Sequence, residues 1–366
     1  MADSPAEART RSAAWEVPTA HAARFSWDYD SGRNRLLALY QKGKDKQWDA
    51  TTRIDWSQAL DPGDPLGIPD EVLPFHGSRT WERISRDRRE VRRARQHIAG
   101  WQFSQFLHGE QGALITTARI VESVPDLDAK FYAATQTLDE ARHVETFAAV
   151  LDRIGVSYPL NPQLQGLLAQ TLRDSRWDMA YLGMQVLIEG LALAAFGTLR
   201  EMCQTPLPKQ VLAFVMQDEA RHVAFGRLAL KDAYRDLTAA ERADREEFVV
   251  EACYLMRDRL RQREVWETLD YDVDECLEYE ENSLVSRTYR NMLFTRIVPC
   301  IRDVGLWGTT VQRAYADMGV LGYAAANIDG LMEQDEVIAE SLDSDQPATN
   351  ARIAEVEETI AVGASG

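Results

Sequence analysis

Helical periodicity dominates the chain from about residue 80 onward. Apolar side chains recur every three or four positions over about residues 80–124, 127–154, 174–203 and 206–237, with a break expected near Gly100. Pro125-Asp126, the stretch 155–162 and Thr205-Pro206 separate these runs. Proline can open a helix at Pro206, because the N–H it lacks would have no helical partner there. Short breaks favour antiparallel neighbours, so residues 79–237 are expected to form one helical body. Thr238-Ala-Ala-Glu241 has the form of a helix cap, and the pattern resumes at 241–263 and in pieces to about 331, predicting additional helices packed on that body over 238–331. Residues 28–78 combine a short helical stretch at 34–42 with turn signals such as Asp61-Pro62-Gly63-Asp64-Pro65, and are expected to wrap the body as an irregular extension. Residues 1–27 are expected to be a flexible arm and 332–366 an acidic disordered tail. Strand signals are scarce, and the fold class is all-α.

The inward stripes of the four long runs are not purely apolar. Counting by threes and fours gives Phe103, Phe106, Glu110 and Leu114 on the first and Gln136, Glu140, His143 and Phe147 on the second. The third gives Val186, Glu189, Leu193 and Phe196, and the fourth Val215, Glu219, His222 and Gly226. The hexapeptide Asp-Glu-Ala-Arg-His-Val occurs twice, at 139–144 and 218–223, and a glutamate stands 30 residues before each hexapeptide glutamate. Residues three apart share a helix face, so Glu140 with His143 and Glu219 with His222 each present a carboxylate and an imidazole to one point. An unpaired carboxylate in an apolar stripe is costly, and metal binding resolves the cost. Oxygen and imidazole donors without thiolate suit iron or manganese better than structural zinc, and four carboxylates balance two divalent ions. Asp139 and Asp218 point about 100° away around their helices. They are placed to orient the histidine of the opposite helix, with Arg142 and Arg221 neutralising them; the competing reading is a buried ion pair without that duty. The four remaining histidines, His21, His76, His97 and His108, lack such partners and are taken as surface or packing residues.

Composition narrows the partners. The chain has 366 residues, 45% hydrophobic and 27% charged, and a formal net charge of -17, which disfavours nucleic acid and anionic membrane surfaces. An arginine cluster at 83–95 is interleaved with Glu82, Asp87 and Glu90, as on a solvated helix face. Cys203, Cys253, Cys276 and Cys300 are too far apart for a Cys-x-x-Cys motif and are expected to be free and buried. With no signal-peptide run and no apolar stretch of membrane-spanning length, a cytoplasmic location is the working expectation.

The order Glu110, Glu140-x-x-His143, Glu189, Glu219-x-x-His222 resembles the ferritin-like di-iron carboxylate proteins, over about residues 100–235. The resemblance implies a ferritin-like four-helix bundle with additional flanking helices, holding two iron ions, or manganese, on those six side chains. It also implies that Glu140 and Glu219 bridge the ions while Glu110 and Glu189 are terminal. Within the superfamily, Gly109-Glu110 and the two Asp-Glu-Ala-Arg-His segments look most like catalytic subunits of bacterial multicomponent monooxygenases. Three positions depart from relatives: Leu193 where those monooxygenases place a threonine, Phe147 where a ribonucleotide reductase small subunit would carry its radical tyrosine, and Val215 where a p-aminobenzoate-type N-oxygenase would offer an extra histidine. The implied activity is that of an O2-activating non-haem di-iron oxygenase of hydroxylase or monooxygenase type, acting on a small organic or carrier-tethered substrate. Trp101, Phe103, Phe106, Phe147, Trp177 and Tyr181 are candidates to line its cavity. No flavin, nicotinamide or iron–sulfur motif is present, so an external reductase or ferredoxin is expected to supply electrons. Association as a homodimer is expected from the habits of such bundles. The alternatives are a peroxide-handling or ferroxidase-like di-metal protein and a non-enzymatic helical protein with a structural metal site.

Overall fold

Four long helices form the centre: Arg88–Ser123, Leu127–Ile154, Trp177–Met202 and Pro206–Ala233. The computed structural model describes residues 15–19, 23–29, 32 and 34–344, and among them regular structure is helical with no strand. The first two helices pack along their length and the last two pack on each other, with the fourth also against the second. Each boundary has a local cause. Asp87 caps the first helix by accepting from the Arg89 N–H at 2.8 Å. Gly155, at φ 78°, ends the second in the left-handed region. Pro206 stands in the first turn of the fourth.

The expected break near Gly100 is absent, and the interruption falls instead at residues 85–87, after the Arg79–Ile84 helix. Gly100 serves packing: a Cβ there would meet the Val156 carbonyl oxygen at 2.7 Å. A helix the periodicity did not predict spans Pro162–Arg173, opened by Asn161, whose side chain accepts from Leu164 N–H at 2.7 Å, and by a proline in its first turn. In the sequence this proline reads only as a break.

The third bundle helix is apolar and long enough to cross a membrane, with mean hydropathy 1.6, yet 83% of that window is buried, as suits the core helix of a bundle. Its stretch Leu182–Ile188 is π-helical and delivers Glu189 at its end.

Residues after the bundle form Ala239–Asp258, opened by the Thr238/Glu241 capping box, and a series of shorter helices. The tail expected to be disordered from 332 is helical through Ser344, within Ile328–Ser344, and packs on the fourth bundle helix. Ala339 is buried, Met332 packs on the core, and buried Asp335 pairs with Arg296 at 2.7 Å. An acid with a specific buried partner reads in a sequence as one more solvated charge, which concealed this helix. The rest of the tail, 345–366, lies outside the described residues, as do 1–14 and His21. Before the bundle, the Asn34–Asp45 helix packs on the second and fourth bundle helices.

Candidate metal centre

The bundle brings all six predicted donors together, and each is buried. Two groups have donor atoms mutually within 4.8 Å: Glu110, Glu140, His143 and Glu219, and Glu140, Glu189 and His222. His143 Nδ1 lies 3.1 Å from Glu219 Oε1, 3.3 Å from Glu110 Oε2 and 3.5 Å from Glu140 Oε2. His222 Nδ1 lies 3.1 Å from Glu140 Oε1, 3.5 Å from Glu219 Oε2 and 4.0 Å from Glu189 Oε2. Glu140 and Glu219 therefore stand between the two imidazoles, with Glu110 on the His143 side and Glu189 on the His222 side.

Both imidazoles turn Nδ1 to this cluster and Nε2 away from it. His143 Nε2 lies 3.1 Å from Asp218 Oδ2, and His222 Nε2 lies 3.2 Å from Asp139 Oδ2, each on the opposite helix. In the neutral ring this directs the Nε2 proton to a carboxylate and leaves the Nδ1 lone pair for a cation. Arg142 donates to Asp139 and, at 2.9 Å, to Asp218, while Arg221 donates to Asp218. The aspartate–arginine layer is thus at once an ion-pair network and the support of both histidines.

Three residues that the motif did not single out complete the surroundings. Gln136, seen in the sequence only as a stripe position, donates its Nε2 hydrogens to Glu189 Oε1 at 2.8 Å and Glu140 Oε1 at 3.0 Å. From the irregular extension, Trp48 Nε1 donates to Asp218 Oδ2 at 2.8 Å, and Gln47 Nε2 donates to Asp139 Oδ1 at 2.7 Å. The Arg142 guanidinium lies over the Trp48 ring, 4.6 Å from its centroid. Neither extension residue sits in a periodic pattern, so no local signal could have found it.

Concentrating four carboxylates in a dry core has electrostatic consequences. Burial, reinforced by Glu219, holds the Glu110 carboxyl well above the usual range; burial and Glu140 do the same to Glu189. Burial also opposes ionisation of Glu140, but His222 and His143 outweigh it and hold that carboxyl well below the usual range. Both imidazoles are held well above theirs, since Asp218 and the carboxylates around His143, and Glu140 and Glu219 beside His222, overcome the burial cost. Without cations, protons alone relieve this charge. Glu140 Oε2, Glu189 Oε2, both Glu219 oxygens and His222 Nδ1 have no hydrogen-bond partner among the described residues, although they face one another at close range. Buried acceptors unpartnered and this close to one another are placed as cation ligands are. The oxygen and imidazole donor set, with its four negative charges, fits two divalent ions of the iron or manganese kind.

A narrow cavity adjoins the cluster. Glu110, Glu189 and Glu219 reach its wall, with Phe106 and Phe196 among the apolar residues around them. Of the six aromatics singled out in the sequence, Phe106 lines this cavity; Trp101, Phe103, Phe147 and Tyr181 are core residues, and Trp177 is partly buried against the core. The four cysteines are free and buried. His97 and His108 are engaged with Tyr158, and His76 packs on Trp81.

A protein-family model described as P-aminobenzoate N-oxygenase AurF matches residues 30–305. Comparison with curated proteins finds no match. Among solved structures, the chain is similar to an R2-like ligand-binding oxidase with aerobically reconstituted Mn/Fe cofactor, at 20% identity and TM-score 0.42, covering 73% of this chain and 94% of that one. A mutant of R2-like ligand-binding oxidase with anaerobically reconstituted Mn/Fe cofactor aligns at 17% identity and TM-score 0.48, covering 77% and 96%. Another such mutant aligns at 18% identity and TM-score 0.48, covering 74% and 94%.

Proposed function

The chain belongs to the P-aminobenzoate N-oxygenase AurF family, and on that premise we propose that it is an O2-activating di-metal oxygenase that oxidises the nitrogen of a small aromatic amine. Within the ferritin-like di-iron superfamily, the family match supports this branch, while the two Asp-Glu-Ala-Arg-His segments resemble the multicomponent monooxygenases. The observation that carries the reading is the pair of buried donor groups sharing Glu140, with acceptor atoms that nothing in the protein satisfies. Glu110 and His143 would hold one iron ion and Glu189 and His222 the other, with Glu140 and Glu219 shared between the two groups; manganese would meet the same charge and donor requirements. Val215, fully buried, takes the place of a further histidine, so the set is four carboxylates and two imidazoles.

Two such ions, when bound and reduced, would supply the electrons with which O2 is activated to oxidise an organic nitrogen or carbon. The chain's own residues supply the rest. Asp139 and Asp218 fix the tautomer and ring orientation of the opposite histidines, and Gln136 orients Glu140 and Glu189. Phe106, Phe196 and their aliphatic neighbours keep water from the space where substrate meets the cluster. An external reductase or ferredoxin delivers the electrons. Ile115, Phe131 and Leu138 leave apolar side chains exposed on the outer faces of the first two bundle helices, which supports association as a homodimer. Four free buried thiols accord with a reducing, cytoplasmic location.

The test is metal analysis combined with turnover of p-aminobenzoate under isotopically labelled O2 and a chemical reductant. About two metal ions per chain and label in an N-oxygenated product are expected. Metal content well below one ion per chain, or loss of amine without incorporated label, would overturn the assignment.

A further inference from the structure

A cavity of about 110 Å3 lies where the N-terminal extension, the first and third bundle helices and the short helices after the bundle meet. Leu66, Ile98 and Leu199 supply apolar wall from the first three of these, and Val285, 40% exposed, stands at the rim. None of the six metal donors lines it. An engineered protein cavity of about 150 Å3 takes up benzene, so a space of this size, open at the rim, suits a ligand of about six heavy atoms.

The wall carries three polar atoms that the protein leaves unused. Gln262 Oε1, Glu280 Oε1 and Ser286 Oγ are buried without a hydrogen-bond partner among the described residues, and all three residues line this cavity. Orphaned polar atoms are costly in an apolar wall. Glu280 is 3% exposed, and its other oxygen, Oε2, accepts from the Gln262 N–H at 3.4 Å, which sets the carboxyl beside Gln262. The neighbouring cations are engaged elsewhere. Arg290 donates to the Glu280 and Glu281 carbonyl oxygens at 2.9 and 2.7 Å, and Arg261 pairs with the Glu281 carboxylate at 2.6 Å. Burial pushes the Glu280 carboxyl up to about 8, so at neutral pH it is mostly protonated and offers an O–H. A cationic ligand would be repelled by Arg290, which lines the same wall, and an anionic one would face the Gln262 oxygen with no N–H to give it. An uncharged group that both accepts and donates fits.

We propose that this cavity is a binding site, separate from the metal centre, for a small uncharged molecule with an apolar body and a carboxamide head group. The ligand carbonyl accepts from the Glu280 O–H and the ligand N–H donates to Gln262 Oε1, while the body lies against Leu66, Ile98 and Leu199. Occupancy ties the extension to the bundle and to the later helices, so it raises the melting temperature. It does not depend on the reaction at the metal centre.

The experiment is titration calorimetry and thermal melting of the metal-loaded protein with isobutyramide and 3-methyl-2-butanone, which have nearly equal shape but differ in the amide N–H groups. The amide is expected to bind roughly tenfold tighter, because the ketone leaves Gln262 Oε1 unpartnered, and to raise the melting temperature as it saturates. Gln262→Met is expected to close most of that gap. Glu280→Leu is expected to weaken both probes alike, roughly tenfold, and Glu280→Gln, which keeps a donor, to weaken them less. Equal binding of amide and ketone by the parent protein, or no binding of either, overturns the site without need of a variant. A gap unchanged in Gln262→Met, or an amide affinity unchanged in Glu280→Leu, overturns it too, because the amide would then be held elsewhere.

Discussion

Gln136 shows how much a single side chain contributes to a site that a motif search describes by its ligands alone. Its one amide group spans a carboxylate proposed to bridge the metals, Glu140, and one proposed to be terminal, Glu189, and so fixes the angle between them. Gln136→Leu keeps the volume but removes both donors. Metal affinity, measured by competition with a chelator, should fall roughly 10- to 100-fold, the range for partners that orient ligands. Unchanged affinity would mean that the amide fills space and orients nothing. The six donors themselves were legible in the sequence, because i, i+3 spacing and a repeated hexapeptide are local patterns that a helix converts directly into a shared face. Gln136 was visible only as one polar residue in a stripe, and Trp48 not at all, since the contact it makes joins residues 170 positions apart.

At the scale of the element, the third bundle helix departs most from ideal geometry. Its π-helical stretch shifts the helix face just before Glu189 and brings Gln185 against the fourth helix at Gly226. A Cβ on Gly226 would stand 2.4 Å from the Gln185 Cβ, so backbone must move to accommodate it. Gly226→Ala should therefore cost about 1–3 kcal/mol of stability in denaturant unfolding, although alanine is the better helix former. A variant as stable as the parent would show that the two helices can part without penalty. Similar close contacts explain where periodicity misled. Gly100 marked an expected break but serves packing, and Pro162 marked a break but begins a helix. A glycine or proline announces an exceptional backbone position, and only its neighbours say which exception it is.

For the molecule as a whole, metal loading and stability should be coupled through pH. Glu110, Glu189, His143 and His222 all have folded-state pKa values raised above their ordinary ones. Each therefore stabilises the metal-free fold below its unfolded-state value and loses that contribution as pH rises through its folded-state value. Glu140 and Asp218, whose values are depressed, act in the opposite sense, and only in more acidic solution. Above about pH 6.5, the ordinary imidazole value, the metal-free protein should thus lose stability as pH rises toward the folded-state values. Metal ions replace the bound protons, so metal uptake should release protons and metal affinity should increase over the same interval. Calorimetric melting of loaded and metal-free protein checks this: the gap between melting temperatures should widen with pH. A gap that narrows would place the protons elsewhere than on these groups.

Helix type, the spacing of donors and the kind of metal they suit were determined by the sequence alone, because a helix maps short intervals onto one face regardless of what surrounds it. Tertiary structure alone decided how the extension closes over Asp139 and Asp218, and how the last helix is anchored through Asp335. These features join residues far apart in the chain, and their energies depend on burial and on partners that no interval along the sequence encodes.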